Sequence, residues 1–399
     1  MTSTTTSSPV LQVAVVGCGE IAQVTHIPNL IIANHMFKAV ALVDISTSTL
    51  KHCSERFGIT NCFSSVDELL ASSVPVDLVF ICSADQYHAD QAIACANAGK
   101  HVMLEKPMVQ TLSEADALEE ARKRNNVVIF VGYMRRYATA FKRFKDAING
   151  KDIKYVRVRD IIGGQNPRFT PQTGMYQRMF TDFPPGAAAD VKSRAEANLV
   201  ENFGNAALTD PSNLGSWQIL TAFSSHALSA MREAIGMPAH VHFACRRGDL
   251  ERPNWWQVLF DHGAFNTLYE VQDDSQCTAD SRWASTTLDS LTHTLKCTPA
   301  LRGSRFNLTG AVSSGPVLAN SSPYIRALPI NVTIQKVLPN GDYDENTSRP
   351  TYVDFYNLTL IELYKAVTEG TEFPTTVMDG REDVVLTKMI MNAVMDHKQ

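Results

Sequence analysis

The chain has 399 residues, 44% of them hydrophobic and 19% charged, with a net charge of −5. These values fit a globular protein of about two domains with large cores. The acidic balance argues against nucleic-acid or anionic-membrane partners, and no apolar run reaches the roughly 18 residues of a membrane span.

Residues 1–10 begin as a Ser/Thr-rich, uncharged stretch and read as a disordered tail, without the basic flank or apolar core of a signal peptide. The first apolar run, residues 13–16, reads as a buried parallel strand that ends in Gly17-Cys18-Gly19-Glu20-Ile21-Ala22. Gly17, Gly19 and Ala22 match the G-x-G-x-x-G/A dinucleotide pattern. Gly17 permits a tight turn, Gly19 lets a pyrophosphate approach the backbone, and Ala22 lets helix pack on strand. The helix start beyond offers free N–H groups and a positive dipole end. Helical patterning continues to about residue 33, with Pro28 kinking or splitting it.

A second strand, residues 39–43, ends in Asp44, 25 positions after Gly19. An acid there suits a ribose 2′-hydroxyl, so NAD(H) is the preferred cofactor. NADP(H) is allowed, since Ser46 offers a hydroxyl to a phosphate. A helix over 46–57, a strand over 77–82, a helix over 86–98 closed by Gly99, a strand over 101–104, a helix over 113–125 and a strand over 127–131 follow. Ser113 and Asp116 predict the cap of that last helix. The alternation implies a doubly wound parallel sheet, a Rossmann domain over residues 11–133.

Beyond Gly132 the pattern changes. A basic amphipathic helix over 138–148 precedes an alternating strand over 155–161. A long polar stretch, 163–216, contains a helical piece at 191–202; loops of this length are usually functional or disordered. A helix over 222–235, strands over 241–246, 255–261, 265–271, 287–296 and 330–337, and helices over 352–369 and 380–395 complete the chain. They predict an α+β domain over 134–399, with an open, mostly antiparallel sheet flanked by helices. An exposed sheet face usually needs a cover, so a homodimer or homotetramer is expected. The eight cysteines carry no C-x-x-C pair. That spacing fits a reducing, cytoplasmic setting, and no metal is expected. Cys18 and Cys82 read as small core residues.

Glu105-Lys106-Pro107 follows a parallel strand and therefore lies at the carboxyl end of the sheet, where open α/β folds bind ligands. A lysine there can stabilise charge developing on a substrate oxygen. Asp85 and His88 follow the preceding strand and border the same crevice, with helix capping and a structural imidazole as their alternative roles.

The stretches Gly99-Lys100-His101-Val102-Met103-Leu104-Glu105-Lys106-Pro107, His26-Ile27-Pro28-Asn29-Leu30 and Val131-Gly132-Tyr133-Met134-Arg135-Arg136-Tyr137 resemble the glucose–fructose oxidoreductase, inositol dehydrogenase and rhizopine-catabolism (Gfo/Idh/MocA) family. The resemblance covers about residues 13–148 and, more loosely, the order of elements that follow. It implies NAD(P)-dependent hydride transfer to or from sugars, polyols or related alcohols and ketones. It implies Lys106 and His226 as the catalytic pair. It also implies Gly17, Gly19, Glu20, Ile21, Asp44, Ser83, Asp85, His88, Glu105, Lys106 and Arg135 as the cofactor contacts.

The family's Asp-x-Gly-x-His helix start reads here Ala222-Phe223-Ser224-Ser225-His226, which keeps the histidine and lacks the acid. Tyr176, Arg178 or Asp182 of the long segment are candidates to replace that acid, and Tyr133 or Tyr176 to carry the proton in place of His226. The missing acid leaves two rivals to a dehydrogenase. One is a non-redox enzyme that oxidises its substrate only transiently on retained nucleotide. The other is a nucleotide-binding regulator without turnover.

Overall fold

The run at residues 13–16 lies at the centre of the first sheet. The structure, a computed structural model, describes residues 9–162, 177–248, 253–273, 305–312, 315–321, 331–338, 340, 342–348 and 355–396. Strands β1 (Leu11–Val16), β2 (Phe37–Val43), β3 (Asn61–Phe63), β4 (Leu78–Ile81), β5 (His101–Leu104) and β6 (Ile129–Val131) pair in the order β3-β2-β1-β4-β5-β6. Every pair is parallel. Val13, Ala14 and Val15 are fully buried, as a central strand covered by helices on both faces requires. The order reverses between β1 and β4, which opens a crevice at their carboxyl ends.

After the glycine turn a π-helical turn, Ala22–His26, leads into helix α1 (Ile27–Ile32), which carries Pro28 in its first turn. The split falls there because a proline lacks the N–H that a continuous helix needs. Helices α2 (Thr47–Phe57), α3 (Val66–Ala71), α4 (His88–Asn97) and α5 (Leu112–Asn125) complete the crossovers. Gly99 closes α4 with a φ of +71°. The cap of α5 is Thr111, not Ser113: its hydroxyl accepts from Glu114 N, while the Glu114 carboxylate reaches back to Thr111 N at 3.0 Å. Glutamate spans that return distance, whereas the Ser113–Asp116 pairing is displaced by two residues and Ser113 donates instead to Glu201.

Helix α6 (Thr139–Ile148) leads to the second sheet, which contains β7 (Ile153–Ile162), β8 (His240–Gly248), β9 (Pro253–Asp261), β10 (Asn266–Asp273), β11 (Arg305–Val312), β12 (Gly315–Ser321), β13 (Asn331–Val337) and β14 (Tyr343–Ser348). The order is β14-β13-β12-β11-β7-β10-β9-β8. Only β7–β10 is parallel, so the sheet is mixed and mostly antiparallel. The strand expected over 287–296 lies outside the described residues, as does the tail through residue 8; Pro9 O accepts from Tyr364 Oη at 2.7 Å.

Between β7 and β8 run α7 (Ala187–Phe203), α8 (Pro211–Gln218), a π-helical turn (Ile219–Phe223) and α9 (Ser225–Ile235). The last helices, α10 (Phe355–Glu369) and α11 (Val377–Asp396), return to the first sheet. Leu360, Leu363 and Tyr364 join the core on one side of it, and Val377 and Val384 the core on the other. The division at residue 134 therefore separates the two sheets but not their cores.

Candidate active site

The glycine turn is built by close packing rather than by chain freedom alone. Gly17 has φ +82°, and a Cβ there would sit 2.6 Å from the backbone of Cys82 and Ser83, at the end of β4. Gly19 differs: a Cβ would meet nothing within 4 Å. Among the described residues no atom needs Gly19 to be small, and the space beside it suits a pyrophosphate over the helix start. Asp44 closes the turn from β2. Its Oδ2 accepts from Cys18 N and its Oδ1 from Ser46 N, both at 2.8 Å. Burial raises its pKa, against those hydrogen bonds, and the nearby Asp182 charge adds to the rise.

One cavity of about 270 Å³ opens at the crevice, lined by Glu20, Ile21, Cys82, Ser83, Asp85, His88, Glu105, Lys106, His226 and Tyr356. The sequence had singled out eight of these ten. Cys82 had been read as core, and it is buried. Tyr356 carried no motif; it arrives on α10, 250 residues beyond Lys106, and sets its ring edge to face against His26 at 6.3 Å.

The lysine loop is braced from below. Glu105 is buried, with Oε1 2.7 Å from His26 Nε2 and Oε2 accepting from Lys106 N at 3.0 Å. Burial pushes its pKa up, but the His26 hydrogen bond and the His26 and Lys106 charges outweigh that, so the net shift is downward. His88 lies with Nδ1 2.8 Å from Pro107 O and Nε2 3.2 Å from Ser83 O. It therefore ties the ends of β4 and β5 together while also lining the cavity. Asp85 heads a short 3-10 turn; burial raises its pKa, opposed by the His88 and Lys106 charges.

Lys106 Nζ donates to Ala222 O at 3.0 Å. The lysine thus crosses to the second half of the chain and meets a backbone carbonyl at the position where the family pattern has an acid. His226 lies in the first turn of α9, buried, with its Nδ1 lacking a hydrogen-bond partner among the described residues. Desolvation, then the Lys106 and Arg135 charges, lower its pKa well below the usual value. A neutral imidazole with an unused nitrogen can take a proton from a substrate hydroxyl.

Arg135 does not reach the cavity. Its Nη1 donates to Asp160 Oδ2 at 2.9 Å, both side chains buried. A fully buried carboxylate needs such a cation. Tyr133 is also buried away from the site, hydrogen-bonded to Asp383, which with the burial raises its pKa. Tyr176 lies outside the described residues.

Asp182 pairs with Ser46 and Ser48 and is not among the residues that line the cavity. Its segment packs over the glycine turn: Gln177 Nε2 donates to Glu20 Oε1, and Arg178 exchanges two 3.0 Å hydrogen bonds with Gln23. Among the described residues, His240, His242 and Asp261 form the one trio with ligand atoms close enough for a cation, within 4.8 Å of one another. They sit on β8 and β9, where Asp261 Oδ2 already pairs with both imidazoles.

Helices α9 and α10 bring His226 and Tyr356 to the switch-point crevice of the first, Rossmann-type sheet. Residues 11–133 match the model of the oxidoreductase family with an NAD-binding Rossmann fold, Gfo/Idh/MocA. The myo-inositol 2-dehydrogenase of Thermotoga maritima is 32% identical over 143 residues, which is 36% of this chain and 42% of that one. The chain thus matches about two fifths of that relative's length.

Solved structures extend the likeness of fold to nearly the whole chain. An oxidoreductase from Agrobacterium radiobacter, in complex with NAD+, L-tartaric acid and magnesium, superposes with a TM-score of 0.65 at 17% identity, covering 98% of each chain. A mutant of the 3-ketoreductase KijD10 from Actinomadura kijaniata, in complex with TDP-benzene and NADP, gives 0.66 at 15% identity, covering 97% of this chain and 98% of that one.

Proposed function

We propose that the chain is an NAD(P)-dependent oxidoreductase that moves a hydride to or from a carbon bearing a hydroxyl or carbonyl group, on a sugar, polyol or related small molecule. The observation that carries this reading is the meeting of Lys106 and His226, from different halves of the chain, on one cavity at the switch point. A bound nicotinamide dinucleotide supplies the hydride acceptor or donor. Lys106, held by the braced Glu105–Pro107 loop, stabilises negative charge on the substrate oxygen. His226, kept neutral by burial and neighbouring cations, accepts the hydroxyl proton in oxidation and returns it in reduction. Asp44 accepts from a ribose 2′-hydroxyl in this reading, and an acid after the second strand supports NAD(H) as the preferred cofactor. The inositol dehydrogenase relative supports the substrate class.

The test is absorbance of reduced nicotinamide on mixing the purified protein with each cofactor and a panel of sugars and polyols. Net turnover with at least one of them is expected. Product formation without net change in cofactor would instead support transient oxidation on retained nucleotide. That second reading is favoured by one observation, the Gln177–Asp182 stretch lying over the glycine turn. Exposed Tyr155 and Phe243 on the second sheet support a homodimer or homotetramer. Light scattering that gave a monomer mass would remove that part of the proposal.

A further inference from the structure

The start of α2 has the attributes of a phosphate site, and it is already filled. In Rossmann folds the residues just after the second strand face the 2′-position of the adenosine ribose, where NAD carries a hydroxyl and NADP a phosphate. Here those residues are Asp44-Ile45-Ser46-Thr47-Ser48, rich in hydroxyls and at the N-terminus of an 11-residue helix. The donors are engaged from a distance of more than 130 residues in sequence. Asp182 Oδ1 accepts from Ser46 Oγ at 2.5 Å and its Oδ2 from Ser48 N at 2.9 Å. Ser46 itself is fully buried, and its hydroxyl also caps the helix by accepting from Thr49 N at 3.0 Å.

The carboxylate is delivered by a strap with its own anchors. Gln177 Nε2 donates to Glu20 Oε1, Arg178 N donates to Gln23 Oε1, and Gln23 Nε2 donates to Arg178 O, each at 3.0 Å. Phe180 rests near His52 of α2, ring centroids 5.9 Å apart, while the Arg178 guanidinium lies over Phe180, 4.9 Å from its centroid. The strap therefore touches the glycine turn at one end and the start of α2 at the other, spanning the edge where an adenosine would lie.

We propose that Asp182 is a cofactor-specificity residue: a fixed carboxylate that occupies the 2′-phosphate position and, with Asp44, excludes NADP. This rests on the dinucleotide reading above. Two effects act together. The Ser46 hydroxyl and the Ser48 N–H, the donors a phosphate would use, are spent on Asp182. Two carboxylates flank Ser46, and a phosphate entering there would meet both as like charges. Hydrogen bonds from Ser46 and Ser48 hold the Asp182 carboxyl down at about 2, so its charge persists across the working pH range. A ribose hydroxyl meets no such repulsion. The sequence offers Asp182 only as a substitute for the missing acid and not as a neighbour of the serines, because its segment is remote and unpatterned.

The experiment measures dissociation constants of NAD+ and NADP+ by calorimetry for the full-length protein, for Asp182→Asn and for Asp44→Ser. Asp182→Asn keeps the shape and removes the charge. The ratio of NADP+ to NAD+ affinity is expected to rise about tenfold in Asp182→Asn at low salt, a change of about 1.4 kcal/mol. The gain should shrink as salt rises, because the repulsion is screened. Asp182→Glu, which keeps the charge, should leave the ratio near that of the unmutated protein.

An unchanged ratio in Asp182→Asn, with a changed ratio in Asp44→Ser, overturns the proposal and leaves the dinucleotide reading intact. Equal loss of both cofactors in Asp182→Asn would mark Asp182 as a helix cap only and also overturns it. Failure of the unmutated protein to bind either cofactor refutes the dinucleotide reading itself. A melting temperature for each variant separates these outcomes from misfolding.

Discussion

In the proposed mechanism Lys106 and His226 act on one oxygen from two halves of the chain, so their loss should not add. Lys106→Met is expected to keep the fold and lose turnover, and His226→Asn to lower kcat by about 10²–10⁴-fold. The double variant should be little worse than the worse single one. Additive losses in steady-state kinetics would show that the two do not share a substrate oxygen. The depressed His226 pKa also has a stability consequence with a definite sign. The folded state refuses a proton that the unfolded state takes near pH 6.5. Stability from this group is complete above that value and falls as the pH drops toward the folded pKa. Urea melts between pH 5 and 7 should therefore show stability rising with pH, and His226→Asn should flatten the slope; an unchanged slope would mean the imidazole is protonated in the fold. The two residues were legible in sequence for different reasons. Lys106 follows from its place after a parallel strand, whereas His226 needed the family pattern, since one histidine in a helix carries no signal. Tyr356 and Asp182 had neither cue.

Strand, turn and helix pose a separate test at the two glycines. Gly17 is locked by its φ of +82° and by β4 backbone 2.6 Å from any Cβ. Gly17→Ala should cost about 2–4 kcal/mol of stability, from left-handed strain plus overpacking. Gly19→Ala meets no atom within 4 Å, so it should melt within about 0.5 kcal/mol of the unmutated protein while binding nucleotide far more weakly. Equal melting losses would remove the distinction drawn between the two positions. The first sheet was readable because strands buried on both faces are continuous apolar runs. β3 was missed: it is three residues long, at the sheet edge, with Asn61 and Cys62 exposed. α3, of six residues, was too short for a helical period to emerge. β11, β12 and β14 have backbone pairing but sequences such as Gly315–Ser321 and Tyr343–Ser348, whose Gly, Pro, Asn and Asp content argues against strands. Ladder partners outweigh that local preference.

At the scale of the whole molecule, the sequence suggests a nucleotide domain that ends at residue 133, and the packing argues that this domain does not stand alone. The return of α10 and α11 buries Leu360, Leu363, Tyr364, Val377 and Val384 in the cores on either face of the first sheet. β6 gains a backbone partner there, Val131 N donating to Thr375 O at 3.0 Å, and Phe373 stacks on Phe130 at 4.9 Å. α11 also closes an ion network within residues 134–399: Arg136 pairs with Glu233 and Asp379, and Arg232 with Asp379 and Asp383. Burial there leaves Asp383 with a pKa raised to about 6 despite Arg232. The residues of α10 and α11 lie more than 200 positions beyond the first sheet, too far for any local pattern to announce. Exposing the five apolar side chains would forfeit on the order of 10 kcal/mol, comparable to the whole stability of an ordinary domain. A fragment ending at residue 133 should therefore be aggregated or lack a cooperative transition, and the intact chain should melt with its two sheets in one calorimetric step. Removing residues 373–399 from the full chain should likewise abolish nucleotide binding, although that deletion spares every residue lining the cavity. A fragment of residues 11–133 that melted cooperatively and bound NAD+ as tightly as the full chain would show that the first sheet is complete without its distant helices.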